Sequence, residues 1–157
     1  MQSIYLETSI IGYLASRTSS DLVTAGNQTL TRDWWDNHRE YFELVVSEAV
    51  IAECSAGDPA AADERAVFLT DLPILEITLE CKTLAAEIMK KVSLPEKADV
   101  DALHIAVAAL NGIDYLLTWN CKHIANPSLR RIIESVLSDA NIEPPVICTP
   151  QEIINVQ

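Results

Sequence analysis

No apolar run in this chain approaches the roughly 20 residues a membrane-crossing helix needs. The opening MQSIYLETS has no basic flank ahead of an apolar stretch, as a secretion signal would. A soluble, unexported, cytoplasmic protein is the expectation. Cysteine is sparse and scattered. Cys54, Cys81, Cys121 and Cys148 form no C-x-x-C pair and have no companion histidine at zinc-ligand spacing, so neither a disulfide framework nor a zinc site is implied. Positive charge is also short: 11 Lys and Arg stand against 23 Asp and Glu, a net charge of -12. Affinity for a polyphosphate comes largely from Lys and Arg. Either nucleic acid is not the ligand, or a bound divalent metal supplies the missing charge. There is no repeat or low-complexity segment, and Gly57-Asp58-Pro59 and Glu143-Pro144-Pro145 punctuate turns rather than linkers. With 157 residues, 49% of them hydrophobic, the chain reads as one domain, 1–157, with a real core.

What is present is an alternation. Short runs rich in β-branched and aromatic residues predict strands at 3–6, 43–47, 73–77, 115–119 and 145–148. Longer segments of helical period predict helices near 9–16, 20–39, 48–56, 60–70, 79–92, 99–111 and 128–139, with a last turn at 150–154. That pattern predicts an α/β fold of three layers, a parallel five-stranded sheet with helices on both faces.

In such a sheet ligands bind beyond the carboxyl ends of the strands. Glu7 falls there, after the apolar run Ile4-Tyr5-Leu6, and Thr8 and Ser9 are good N-cap residues for the next helix. In VVSEAVIAECSAGD, Ser47 predicts an N-cap, with Glu48 at the first helical position as a surface acid that complements the helix dipole. Glu53 shares its face with Ala49 and Val50, where an acid costs free energy unless paired or ligated. A ligand role and a salt bridge both answer that. In KADVDALHIAVAALNG, apolar nearly all round and closed by Asn111-Gly112, Asp99 is the expected N-cap and Asp101 faces inward with Ile105 and Ala108 as a candidate ligand. His104 reads as a hydrogen-bonded core residue. After the strand Tyr115–Trp119 comes Asn120, a second strand-end oxygen. If Glu7, Glu53, Asp101 and Asn120 converge, the carboxylates need a cation or a proton. An all-oxygen set of this kind suits Mg²⁺ or Mn²⁺.

IYLETSIIGYL, VVSEAVIAEC, ADVDALHIAVA and YLLTWNCKHIAN, in this order, resemble the four signature segments of PIN-domain proteins, which include the VapC-type toxins of toxin-antitoxin modules. The resemblance spans nearly the whole chain. It implies a metal-dependent ribonuclease whose catalytic and metal positions are Glu7, Glu53, Asp101 and Asn120, with Mg²⁺ or Mn²⁺ activating water against an RNA phosphodiester. It also implies an antitoxin partner. Two positions depart from the family's pattern: Glu7 stands where Asp is usual, and Asn120 where Asp is frequent. The longer acid predicts displaced coordination, so that Glu7→Asp raises cleavage unless the site has been rebuilt around glutamate. Two other readings stay open, a PIN-like module that has lost catalysis and a signalling receiver domain. The latter wants an Asp at the end of a middle strand, where this chain offers Glu76.

Arg17, Lys122, Arg130 and Arg131 are candidate phosphate contacts or ordinary surface charges. Trp34 and Trp35, adjacent on one helix, cannot face the same core. One of them faces a partner, a second copy in a homodimer or an antitoxin, or else lies under a neighbouring helix.

Overall fold

The computed structural model describes residues 1–95 and 98–156. The chain runs β1 (Ser3–Leu6), α1 (Thr8–Ala15), α2 (Leu22–Asn37), a 3₁₀ turn (Arg39–Tyr41), β2 (Glu43–Ser47), α3 (Glu48–Cys54), α4 (Pro59–Leu69), β3 (Ile74–Leu75), α5 (Leu79–Val92), α6 (Asp99–Leu110), β4 (Tyr115–Leu117), α7 (Pro127–Asp139), β5 (Val146–Cys148) and α8 (Pro150–Ile153). The predicted elements are all present. Strands β3 and β4 are shorter than their apolar runs.

All neighbouring strands pair in parallel, in the order β3-β2-β1-β4-β5. Each crossover between successive strands contains at least one helix, as parallel pairing requires. In the central strands, successive residues point to opposite faces, yet Ile4, Tyr5 and Leu6 and, in β4, Leu116 and Leu117 are all fully buried. Both faces of the sheet are therefore covered by helices, the three-layer arrangement the sequence predicts.

Local sequence sets the helix ends. Asn126 accepts the Ser128 N–H at 3.0 Å ahead of Pro127 at the start of α7, and Thr78 accepts the Cys81 N–H at 3.2 Å to open α5. Gly112, at φ 64°, takes the left-handed conformation that ends α6. One cap differs from expectation. The residue before α6 is Ala98, and Asp99 is already inside the helix, where its carboxylate accepts the N–H of Val100 at 2.8 Å.

Trp34 is fully buried, and Trp35 meets Phe68 of α4 edge to face at 5.6 Å with the Arg39 guanidinium 4.9 Å from its ring. Of the two fates expected for this pair, packing under a neighbouring helix is the one observed.

The chain leaves β1 to build one half of the sheet through β2 and β3, then returns to lay β4 on the other side of β1. The crevice between the ends of β1 and β4 is thus the topological switch point. Glu7 sits at one lip and Thr118 to Asn120 at the other.

Candidate active site

Glu7 is only 4% exposed although it lies one residue past a strand. Its backbone N–H still bonds Leu117 O at 3.0 Å, which extends the β1–β4 ladder and fixes where the side chain starts. Glu7 itself, rather than Thr8 or Ser9, is the N-cap of α1. Its Oε2 accepts the Ser9 N–H at 3.0 Å, the Thr118 hydroxyl at 2.8 Å and the Ser9 hydroxyl. Those two hydroxyls are themselves oriented by the loop after β4: Ser9 Oγ accepts the Trp119 N–H at 2.8 Å and Thr118 Oγ1 accepts the Asn120 N–H at 2.9 Å. All three donors act on Oε2. Among the described residues no donor reaches Oε1.

Ser47 caps α3, accepting the N–H groups of Ala49 and Val50, and Glu48 takes the first helical position, as the sequence predicts. Glu48 is exposed and accepts the Ile77 N–H at 3.1 Å. Glu53 is not on the buried stripe formed by Ala49 and Val50; its side chain is 38% exposed, at the mouth of the crevice. Its Oε1 accepts the Thr8 hydroxyl and His104 Nε2, both at 2.6 Å. Its Oε2 has no donor among the described residues. Burial pushes the Glu53 carboxyl up, but the hydrogen bonds from His104 and Thr8 outweigh it and hold the group below its ordinary value. One carboxylate oxygen each from Glu7 and Glu53 and a ring nitrogen of His104 lie within 4.8 Å of one another, close enough to hold a metal ion.

Asp101 belongs to a second group. Its Oδ1 accepts the Asn120 amide at 3.0 Å and its Oδ2 lies 2.8 Å from His123 Nδ1, while Asn120 Oδ1 accepts the His123 N–H at 3.0 Å. The four candidate residues therefore form two pairs, Glu7 with Glu53 and Asp101 with Asn120, joined through Thr118. His123 has no role in the sequence reading; a second histidine three residues past Asn120 was the available signal. Tyr5, a phenol inside an otherwise apolar strand, is another.

An open groove of about 780 Å³ runs from this crevice, lined among others by Thr8, Ser9, Tyr13, Arg17, Glu53 and Arg65. The Arg17 loop is fixed by the buried Gln28, whose amide donates to Ser16 Oγ at 2.7 Å and Arg17 O at 3.0 Å. Arg17 thus lines the same groove as Glu53. Arg130 lies instead in a separate cleft between α7 and β5 with Pro144 and Pro145, and Lys122 and Arg131 are exposed.

The PIN domain family model matches residues 4–121. The chain belongs to the PIN-domain family. Among solved structures it is similar to the VapC20 toxin of Mycobacterium tuberculosis, described as cleaving the sarcin-ricin loop, with 20% identity over 77% of this chain and 92% of that one and a TM-score of 0.60. It is similar also to a toxin-antitoxin complex from Klebsiella pneumoniae (16% identity, 94% of this chain and 98% of that one, TM-score 0.59). FitAcB from Neisseria gonorrhoeae matches with 14% identity, 94% and 98% coverage and a TM-score of 0.60. At these identities the likeness establishes the fold, a PIN-like α/β sheet. No curated protein sequence matches the chain.

Proposed function

We propose that this PIN-domain protein is a metal-dependent endoribonuclease, the toxin of a toxin-antitoxin module, with Glu7, Glu53, Asp101 and Asn120 as its catalytic and metal-holding residues. The observation that carries the reading is the pair Glu7 and Glu53: each spends one carboxylate oxygen on protein donors and keeps the other open, in a crevice at the end of β1. Two nearby carboxylates with open oxygens are a hard, oxygen-rich site of the kind Mg²⁺ or Mn²⁺ occupies. When bound, such a cation supplies a Lewis acid and an activated water for phosphodiester hydrolysis. The chain's own part is to fix the two carboxylates through Ser9, Thr118, Thr8 and His104, and to lead a polyanion in along the groove that Arg17 and Arg65 border. With a net charge of -12, the molecule repels RNA in general, and the cation and these two arginines offset that repulsion at the groove.

Similarity to toxin-antitoxin complexes supports an antitoxin as the partner. Trp34 is buried within the chain and Trp35 packs on Phe68 of α4, so neither residue is needed to explain a partner. No helix among the described residues is long and apolar enough to cross a membrane, consistent with the cytoplasm as the place of action.

A second reading, a PIN-like module without catalysis, draws on Asp101, both of whose oxygens are engaged by Asn120 and His123. One experiment decides. Purified protein is incubated with single-stranded RNA in Mn²⁺, Mg²⁺ or excess EDTA, beside its Glu53→Gln variant. Cleavage that needs metal and falls on the order of 100-fold or more in the variant is expected. Metal binding without cleavage by the wild type would establish the second reading instead.

A further inference from the structure

His104 has no exposed surface, yet both ring nitrogens are engaged: Nδ1 is 2.6 Å from the Tyr5 hydroxyl and Nε2 is 2.6 Å from Glu53 Oε1. The polarity of this chain follows from chemistry. An ionised carboxylate only accepts, so Nε2 donates. Were Nδ1 to donate as well, the Tyr5 hydroxyl would have to donate to Ser47 and leave the Ser47 proton without an acceptor among the described residues, so Nδ1 accepts and the Tyr5 phenol donates to it. The phenol oxygen, left to accept, takes the hydroxyl of Ser47 at 2.7 Å. Ser47 Oγ in turn accepts the N–H groups of Ala49 at 3.2 Å and Val50 at 3.4 Å. One direction of donation thus satisfies every member. It starts at the N-terminus of α3, passes through β1 and α6, and returns to Glu53 in the last turn of the same helix.

Packing does not ask for this. Ser47, Tyr5 and His104 are all fully buried, in a core made mostly of apolar side chains. Buried polar groups are tolerated only when fully bonded, and apolar side chains of similar volume often serve stability as well or better. What the chain does achieve is local to its surface end. Glu53 is the one member that reaches solvent, and it receives its bond on Oε1 alone. Thr8 donates to the same oxygen at 2.6 Å, but Thr8 is only partly buried. The imidazole, enclosed on all sides and held through its far nitrogen, is the rigid donor of the two.

We propose that His104 is a positioning residue: held as the Nε2–H tautomer by the buried Ser47–Tyr5 pair, it grips Glu53 by Oε1 and so presents Oε2, beside Glu7, to a divalent cation. The proposal rests on the metal-dependent nuclease reading above and adds the residues that aim the carboxylate. Partners in this position orient ligands, and their loss typically lowers metal affinity about 10- to 100-fold.

The test exploits side-chain length. Gln places an amide nitrogen near the position of Nε2, whereas Asn reaches only as far as Nδ1. Mn²⁺ affinity is measured by titration calorimetry for wild type, His104→Gln, His104→Asn and Tyr5→Phe, with circular dichroism confirming each fold. The expected order is wild-type-like binding for His104→Gln, weaker binding for Tyr5→Phe, and binding weakened about 10- to 100-fold for His104→Asn. A structural role alone would weaken both His104 variants alike, and that result would overturn the proposal; so would equal affinity in all four proteins. Should His104→Asn fail to fold, the ¹⁵N shifts of His104 in the wild type carry the test: an unprotonated Nδ1 is expected, and an Nδ1–H tautomer would overturn the assignment. Wild type that binds Mn²⁺ in this pattern yet leaves RNA intact would remove the nuclease reading and keep the positioning role. Wild type that binds no Mn²⁺ would remove both.

Discussion

Thr118 donates its hydroxyl to Glu7 Oε2 at 2.8 Å while Thr118 Oγ1 itself accepts the N–H of Asn120 at 2.9 Å. Thr118 is fully buried, so neither bond has a water to replace it. Thr118→Val keeps the shape and removes both bonds at once, leaving a backbone donor and a carboxylate short of partners. Unfolding in urea should show a loss of about 1–3 kcal/mol, with Thr118→Ser close to wild type. Equal stability of the Val and Ser variants would mean that the two bonds contribute nothing net.

The two acids of α3 separate cleanly. Glu48→Gln should leave Mn²⁺ binding and RNA cleavage nearly intact, because Glu48 is exposed and engaged with the Ile77 N–H rather than with the crevice. Glu53→Gln should lower both. Matching losses in the two variants would place the cation elsewhere.

Glu53 also carries a pH signature. Its folded carboxyl lies below its ordinary value of 4.5, burial being outweighed by the His104 and Thr8 hydrogen bonds. A group depressed in this way stabilises the fold above its unfolded value, and that contribution disappears as pH falls through the folded one. Metal-free wild type should therefore lose stability below about pH 4.5 more steeply than Glu53→Gln does. The difference should be small, since the side chain is 38% exposed, and smaller still in high salt. Parallel acid-denaturation curves for the two proteins would refute it.

Thiol reactivity gives an independent check on the fold. Burial pushes Cys54 up to about 11 and Cys148 up to about 12, and Cys81 is 2% exposed, whereas Cys121 is exposed in the loop after β4. Since the thiolate is the reactive form, an alkylating reagent at neutral pH should label Cys121 alone until the protein is denatured. Rapid labelling of a second cysteine in the native state, read by mass spectrometry, would contradict the packing of α3, α5 or β5.

These tests draw unequally on the sequence. The strand-helix alternation, the strand-end placement of Glu7 and the cap at Ser47 are legible because each depends on neighbours a few residues away. The burial and bonding of His104 follow from the apolar face it occupies. Its partners do not, since Glu53 and Tyr5 stand 51 and 99 residues away in the chain and only the folded sheet brings them together. The same holds for the division of the four candidate residues into two pairs: Asp101 and Asn120 are 19 residues apart and meet because α6 leads directly into β4. The caps of α1 and α6 are not legible in this way. Whether Glu7 or Thr8, and Ala98 or Asp99, precedes the first helical turn depends on the φ and ψ of one residue, which composition constrains poorly.

Glu7→Asp decides how the chain accommodates its longer acid. From the sequence alone, glutamate displaces the cation and aspartate should restore activity. The geometry favours the opposite outcome. Glu7 Oε2 is held by three donors, from Ser9 N, Ser9 Oγ and Thr118 Oγ1, and two of these are oriented by the backbone of the loop after β4. Aspartate withdraws the carboxylate by one methylene, which breaks the reach to Thr118 across the crevice. It keeps an acceptable N-cap for α1, since Asp is among the best capping residues. Stability and metal binding should therefore fall by different amounts. Melting temperature without metal should drop, though less than in Thr118→Val because only one of the two Thr118 bonds is lost. Mn²⁺ affinity should fall further, and RNA cleavage with it, on the order of 100-fold for a displacement near 1 Å. Calorimetric melting, Mn²⁺ titration and cleavage of a single-stranded RNA are the measurements. Increased cleavage by Glu7→Asp in both Mg²⁺ and Mn²⁺ would show that the three donors on Oε2 hold glutamate in a compromise, and that this crevice still fits the shorter acid better.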